Sequence, residues 1–252
     1  MPLDRAEWSR LEAVIETRSR RRGLSADLAR LRYANRYVYP EADTGRPRRV
    51  LYVGVGHGLD ALLALIDGLV ERVVGVDPYL ATHGNDDEDY RALTDLLEEF
   101  GLNARFTVHR GLIQDYRCDG EEAPDRIVIN DVLHHIFETA EPLRECAMFP
   151  DAVALFGRLR ALSAPDARLV LGDVSRHGLR PLAGRLGLFH RAVDYTTKQD
   201  WCEWDAAVLE GGWRRLGLVD YVPYALAPWR TALRGWPARY SLCEKYFLTY
   251  GA

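Results

Sequence analysis

The sequence predicts an α/β fold: a doubly wound, mostly parallel sheet of seven strands, preceded by a helical N-terminal extension. Short runs that are almost wholly apolar, such as residues 50–53 and 127–129, lack the polar alternation of a strand with one solvated face. Such runs are typical of parallel strands covered on both sides. They alternate with amphipathic helices, and this rhythm repeats through five units, which indicates βαβ crossovers. Glycines follow the first run directly, as expected where a strand turns into a helix.

The predicted elements follow in chain order. Residues 4–36 are expected to form two helices, with Leu11 and Ile15 on one apolar face, and a linker with Pro and Gly follows at 39–48. Strands are predicted at 50–53, 72–76, 104–108, 126–130 and 167–173, and helices at 60–70, 89–100, 152–162 and 200–211. The last two strands, 216–224 and 244–250, are expected to pair antiparallel at one edge. We divide the chain into a helical lid or extension, residues 1–47, and an α/β domain, residues 48–252.

Composition narrows the function classes. The 252 residues carry a formal net charge of −4, which argues against nucleic-acid binding through a broad basic surface. No two of the four cysteines have CxxC spacing, so free thiols in a reducing cytosol are expected rather than a zinc knuckle or a redox pair. The N-terminal residues include early charges and no apolar core, and no stretch approaches a membrane span. We therefore expect a cytoplasmic protein without a signal peptide or a membrane partner.

A glycine loop follows the first predicted strand of the sheet. Gly54, Gly56 and Gly58 allow a tight turn and a close approach of the backbone to a ligand, and ligands bind at the carboxyl ends of such strands. Asp77 ends the second strand, where a carboxylate can accept hydrogen bonds from both hydroxyls of a ribose. The dinucleotide fingerprint GxGxxG would place its third glycine at Leu59, one residue later than Gly58. The observed spacing is GxGxG, the form that S-adenosylmethionine enzymes use. It therefore favours S-adenosylmethionine over a dinucleotide.

Segments 50–58, 74–77 and 129–136 together resemble the class I S-adenosylmethionine-dependent methyltransferases, and the resemblance covers roughly residues 48–250. Small-molecule members carry a helical N-terminal lid, which residues 1–40 would match. The resemblance implies S-adenosylmethionine as cofactor and S-adenosylhomocysteine as product. It implies a cofactor site made of Gly54, Val55, Gly56, His57, Gly58, Asp77, Pro78, Leu112, Ile113 and Asn130. In that site Asp77 would hold the ribose, Leu112 would border the adenine, and the carbonyl of Asn130 would meet the methionine ammonium.

Two positions depart from the pattern of the family. Many members have an acidic residue where Tyr52 stands, and an aspartate that bonds the adenine amino group where Leu112 stands. Each loss would weaken cofactor binding by roughly 1–3 kcal/mol unless another residue compensates. Gln114 or Asp115 could compensate at the adenine. These departures motivate an alternative function, a methyltransferase-like protein with a non-methylating catalytic role or a non-catalytic binding role.

Three histidines are the predicted catalytic residues. His134 and His135 follow the fourth strand, and His190 lies in the segment after the fifth strand; each could act as a general base. Two alternatives stay open: the adjacent pair could pack beneath the cofactor, or it could bind a metal together with His190. Adjacent helical positions do not face one ligand point, so we predict no metal site.

The predicted activity is methylation of a small molecule, at oxygen or nitrogen, in a biosynthetic pathway of secondary metabolism. The aromatic residues Trp229, Trp236 and Tyr240 lie in an insertion before the last strand and could wall an aromatic substrate or simply pack the insertion. A nucleic-acid substrate is disfavoured because Asn130-Asp131-Val132-Leu133 stands where an (Asn/Asp)-Pro-Pro-(Tyr/Phe) motif would be. The sequence leaves the oligomeric state open between a monomer and a homodimer.

Overall fold

The structure is a computed structural model that describes residues 5–21, 28–40, 47–80, 85–118, 122–177, 182, 195–234 and 245–252. The chain divides into two compact units, Met1–Arg117 and Cys118–Ala252. The division predicted at residue 47 stays a prediction. None of the helices in the described ranges is both long and apolar enough to cross a bilayer.

The first unit holds three parallel strands and four helices among its described residues. In chain order they are α1 Arg5–Arg21, α2 Leu28–Val38, β1 Arg49–Val53, α3 Leu59–Ile66, β2 Arg72–Asp77, α4 Asp87–Glu99 and β3 Phe106–Arg110. β2 pairs with both neighbours in parallel, so that Val53 lies beside Val76 and Asp77 beside Arg110. All five residues of β1 are buried, as the apolar run predicted. Leu11 and Ile15 of α1 are fully buried, which confirms the apolar face assigned to that helix.

The second unit combines a parallel pair with an antiparallel edge. Its principal α-helices and strands are β4 Arg126–Asn130, the one-turn α5 Leu133–Ile136, α6 Phe149–Leu162, β5 Arg168–Val174, α7 Trp201–Glu210, β6 Arg214–Tyr221 and β7 Lys245–Gly251. β4 and β5 are parallel, with Asn130 beside Gly172. β7 runs antiparallel to β5 and to β6, which confirms the pairing predicted for the last two strands.

The seven strands have the order β3-β2-β1-β4-β5-β7-β6, so the predicted α/β fold is confirmed. The largest difference in an element boundary is in α3, which ends at Ile66 rather than near residue 70. Gly68 has a φ of +73°, and this left-handed conformation ends the helix where its apolar periodicity continues through Leu69 and Val70. The third strand begins two residues later than predicted because residues 103–105 form a turn, closed by a bond from Arg105 N to Leu102 O.

Candidate functional site

The glycine loop between β1 and α3 has a left-handed conformation at every second residue. Gly54, Gly56 and Gly58 have φ values of +69°, +52° and +69°. The loop starts with a bond from Gly54 N to Val76 O at 2.8 Å and closes with one from Gly58 N to Val55 O at 2.8 Å. Any residue with a Cβ would be strained at these φ values, which explains why three glycines alternate here.

The glycines also allow close contacts with the side chains around them. A Cβ on Gly58 would lie 2.7 Å from Cδ1 of Leu93, and a Cβ on Gly56 would lie 3.2 Å from Nδ2 of Asn85. The side chain of Val55 occupies the space that a Cβ on Gly75 would need, at 2.7 Å from its Cγ1. Val55 therefore packs on β2, and its backbone is what the loop can present to a ligand.

Asp77, the predicted ribose acceptor, is already bonded to the loop. Its Oδ2 accepts a hydrogen bond from Gly56 N at 2.9 Å, and its Oδ1 accepts one from Tyr79 N at 2.8 Å. The amide of Asn85 makes a longer contact with Oδ2, at 3.5 Å. The residue is only 4% exposed. A carboxylate has about four acceptor positions. Oδ1 therefore still has one available, Oδ2 gains one once the distant amide of Asn85 moves aside, and the two backbone bonds fix the plane of the carboxylate.

Tyr79 has a role in the site that the sequence did not predict, because the sequence indicated only that Pro78 or Tyr79 could flank an adenine. It has a φ of +49°, which is uncommon outside glycine and marks a position held by its surroundings. Its hydroxyl donates to Gly56 O at 2.8 Å, and its ring meets that of Tyr90 edge to face. Burial, followed by the charges of Asp77 and Asp89, raises the pKa of Tyr79 far above its ordinary value. The phenol therefore stays a neutral donor that ties the loop to the end of β2.

His57 is the one titratable side chain within the loop. Its Nδ1 lies 3.6 Å from Oδ1 of Asp89, a buried carboxylate of α4. The other oxygen of Asp89 accepts from Asp86 N at 3.0 Å, and the side chain of Asp86 in turn caps the start of α4. This capping box fixes the carboxylate beside His57, and the imidazole keeps an exposed fraction of 26%. The imidazole of His57 is therefore a partly exposed polar group, held beside a fixed carboxylate within the glycine loop.

The loop after β3 lies beside the end of β2, as the parallel pairing requires. Gly111 N donates to Asp77 O at 3.1 Å. Leu112 is 48% exposed whereas Ile113 is buried, and Pro78 is half-buried. An exposed leucine at this point offers an apolar surface but no hydrogen bond.

Tyr52 replaces the acidic residue expected before the glycines, and its hydroxyl is bonded within the protein. The hydroxyls of Tyr52 and Tyr39 are 2.7 Å apart, and both residues are buried. Tyr39 directly follows α2, and Asn35 of that helix donates to Asp60 O at 3.1 Å. Position 52 thus helps to attach the N-terminal helical segment to β1 and α3.

In the second unit, the end of β4 carries the predicted Asn130 and a strained neighbour. Asn130 is half-buried, and Asp131 has a φ of +57°. The backbone of Asp131 donates to Gly172 O at 2.8 Å, and its carboxylate is bonded to Nζ of Lys245 on β7. The chain therefore turns sharply where the strand ends.

His134 and His135 occupy different environments. Nδ1 of His134 is 2.8 Å from Oδ1 of Asp173, and both side chains are buried, whereas His135 is exposed. Their rings are 4.2 Å apart at an angle of 49°. Among the residues that the structure describes, no group of three or more potential metal-binding side chains is found. His190, Trp236 and Tyr240 lie outside the described residues, and Trp229 is 65% exposed.

Comparison with known proteins identifies similarity in structure only. No protein-family model matches the chain, and no curated protein matches it significantly. The geranyl diphosphate C-methyltransferase from Streptomyces coelicolor A3(2), solved with Mg²⁺, geranyl diphosphate and S-adenosyl-L-homocysteine, aligns with a TM-score of 0.57 and 13% identity. That alignment covers 90% of this chain and 81% of the other.

Two further structures show the same similarity. The N-methyltransferase NodS from Bradyrhizobium japonicum WM9 aligns with a TM-score of 0.53 and 13% identity, over 90% of this chain and 97% of its own. The S-adenosylmethionine-dependent methyltransferase SibL, in its apo form, aligns with a TM-score of 0.53 and 17% identity over 87% of this chain. The alignment spans only 55% of the SibL chain. At these identities the likeness concerns the fold alone.

Proposed function

We propose that this chain, which has the fold of the class I S-adenosylmethionine-dependent methyltransferases, is an enzyme that transfers a methyl group from S-adenosylmethionine to a small molecule. The observation that carries the proposal is the alternating glycine loop whose Gly56 N–H is bonded to the Asp77 carboxylate at 2.9 Å. The loop therefore presents backbone beside a fixed acidic group at the carboxyl ends of two parallel strands. In open parallel sheets this is where nucleotides bind.

The residues present fit this cofactor. Gly56 has no Cβ, so a ligand can approach its backbone closely once the flexible amide of Asn85 moves aside. Asp77 would accept hydrogen bonds from the ribose hydroxyls, and Pro78, Leu112 and Ile113 would border the adenine. The remaining cofactor-binding residues would be Gly54, Val55, His57 and Gly58 in the loop, for the methionine portion and the ribose, and the backbone of Asn130, for the methionine ammonium.

The protein's own part in the chemistry would be alignment, and removal of a proton where the acceptor carries one. S-adenosylmethionine supplies a methyl group on a sulfonium, which is activated for in-line displacement. Holding the acceptor in line with that group makes the reaction effectively unimolecular, which lowers its barrier. A histidine within reach of the acceptor would take its proton, and His134, His135 and His190 are the candidates.

The acceptor is proposed to be a small molecule methylated at oxygen or nitrogen, in a biosynthetic pathway of the cytoplasm. The similar structures support a small-molecule acceptor, because one of them was solved with geranyl diphosphate, and NodS is an N-methyltransferase. The net charge of −4 fits a small molecule better than a nucleic acid.

Calorimetry with purified protein tests cofactor binding directly. We expect both S-adenosylmethionine and S-adenosylhomocysteine to bind, and NAD⁺ not to bind. Asp77→Asn should weaken both ligands by about 10- to 100-fold, because hydrogen bonds to a charged acceptor contribute about 1.5–3 kcal/mol. Asp87→Asn is the matched control, because Asp87 is an exposed acid of the same unit that pairs with Arg110. If neither ligand binds at millimolar concentration, the proposal is wrong.

The tight packing around Asp77, the proposed ribose-binding residue, favours a second function. Asp77 is 4% exposed and Tyr52 is bonded to Tyr39, so the site is tightly packed and lacks the usual acid before the glycines. A methyltransferase-like protein with a non-methylating or purely binding role would show these features. Cofactor binding without methylated product, across phenols, amines and carboxylic acids, would favour that function over methyl transfer.

A further inference from the structure

A buried histidine–aspartate pair lies at the carboxyl end of the parallel strands of the second unit. His134 is in α5, directly after β4, and Asp173 is near the end of β5. Nδ1 of His134 and Oδ1 of Asp173 are 2.8 Å apart, and the side chains are 6% and 0% exposed. Groups of this polarity are stable at such burial only when they are bonded to each other or to the backbone. The pair therefore forms a single hydrogen-bonded unit.

The surroundings of Asp173 determine which nitrogen of His134 carries the proton. Oδ1 of Asp173 accepts from Val174 N at 2.7 Å as well as from the imidazole. Its Oδ2 is buried with no hydrogen-bond partner in the part of the chain that the structure describes. The carboxylate thus accepts hydrogen bonds from two donors. Loss of the imidazole donor would leave this buried anion with a single hydrogen bond. This cost holds the proton on Nδ1 and places the lone pair on Nε2.

Nε2 of His134 keeps its hydrogen-bonding capacity, although the residue is buried. None of the described residues forms a hydrogen bond with this nitrogen. Tyr246, which lies opposite Asp173 in the pairing of β5 with β7, does not compete as a base. Burial, followed by the charge of Asp173, raises the pKa of Tyr246 well above its ordinary value, and its hydroxyl donates to Gln199 O. Ligands bind at the carboxyl ends of parallel strands, where His134 stands.

We propose that Asp173 is a positioning residue, which orients His134 so that Nε2 takes a proton from the methyl acceptor. This inference rests on the proposed methyl transfer and specifies its substrate class: the acceptor carries a proton, as a hydroxyl or an amine does, rather than being a thiolate or a carboxylate. The acceptor heteroatom forms the new bond to the methyl carbon as the bond from that carbon to sulfur breaks, with its electron pair on sulfur. The acceptor's proton goes to Nε2, and the imidazolium is stabilised by Asp173.

Nitrogen-15 NMR of the imidazole rings tests the arrangement without any acceptor. In the wild-type protein, with His134 assigned through a His134→Gln variant, we expect a protonated Nδ1 and an unprotonated Nε2. Asp173→Asn presents an amide that can donate to Nδ1, and this should transfer the proton to Nε2. A protonated Nε2 in the neutral ring of the wild-type protein would overturn the proposal, whether or not the variant folds. This measurement tests how Asp173 orients His134, and the reactivity of Nε2 tests separately whether that nitrogen can be reached.

Reaction with diethyl pyrocarbonate, which acylates unprotonated imidazole nitrogens, tests access to Nε2. Mass spectrometry should show modification of both histidines in the wild-type protein, and a rate for His134 that falls about tenfold or more in Asp173→Asn. His135 is the internal control, because it is exposed and should react equally in both proteins. If His134 does not react at all in the wild-type protein, Nε2 cannot be reached by an acceptor, and the proposal is wrong. Calorimetry with S-adenosylmethionine separates the two hypotheses, since absent binding refutes methyl transfer and leaves the NMR result unchanged.

Discussion

Gly58→Ala is expected to destabilise the fold strongly, and the structure separates two sources of the loss. The left-handed φ of +69° costs a residue with a Cβ roughly 1–2 kcal/mol. The new methyl group would also lie 2.7 and 2.8 Å from the two terminal carbons of Leu93, a buried residue of α4. Overpacking of this kind costs typically about 1–3 kcal/mol. The expected total is about 2–5 kcal/mol, a large part of the roughly 5–15 kcal/mol that holds a domain folded.

A double-mutant cycle with Leu93→Ala separates these two costs. In the Leu93→Ala background the clash is removed, so Gly58→Ala should cost only the backbone strain, about 1–2 kcal/mol. Urea unfolding of the four proteins, followed by circular dichroism, gives the coupling energy directly. Equal costs of Gly58→Ala in both backgrounds would refute the packing argument, and a cost near zero in both would refute the assigned backbone conformation.

Three other substitutions test separate parts of the structure. Tyr79→Phe removes the donor to Gly56 O and should lower the free energy of unfolding by about 1–3 kcal/mol, measured in urea. Asp131→Ala should be less stable than Asp131→Asn by about 1 kcal/mol in thermal unfolding, because asparagine tolerates the left-handed conformation better. Burial raises the pKa of Glu203, but hydrogen bonds from Arg144 outweigh it and hold that pKa below its ordinary value. This pair stabilises the fold above the unfolded pKa of the acid and loses its effect as pH falls through the folded pKa. Arg144→Ala should therefore lower the urea midpoint more at pH 7 than at pH 3, and an equal loss at both would contradict the ionic contribution.

The strands and the glycine loop were predictable from the sequence because their signals are local. A parallel strand buried on both faces needs an unbroken apolar run, and a loop with left-handed residues needs glycine at those residues. The end of α3 was not predictable in the same way, because the apolar periodicity continues through residue 70 while Gly68 ends the helix. Boundaries of this kind depend on a single backbone conformation, which side-chain periodicity does not report.

Two interactions that the sequence did not predict depend on three-dimensional neighbours. Tyr79 lies 23 residues from Gly56 in the sequence, and its hydrogen bond needs the positive φ that follows β2. Asp173 lies 39 residues from His134. For Asp173 the sequence does carry a signal, because an aspartate within the apolar run of β5 requires a polar partner. Strand pairing places Gly172, the residue before Asp173, beside Asn130 at the end of β4. A parallel pairing of the fourth and fifth strands, assumed from the sequence, would have brought the aspartate close to the histidines.

The two departures from the family pattern have different consequences for recognition. Position 52 is buried and bonded to Tyr39, so a carboxylate there would be desolvated beside a phenol, and the tyrosine instead serves the attachment of the N-terminal segment. Leu112 is exposed and offers only apolar surface to an adenine. With both usual polar contacts missing, Asp77 is the acidic group on which the proposed nucleotide recognition in the first unit would depend. The ribose should therefore dominate affinity, and an analogue lacking a ribose hydroxyl should lose more binding than one lacking the adenine amino group.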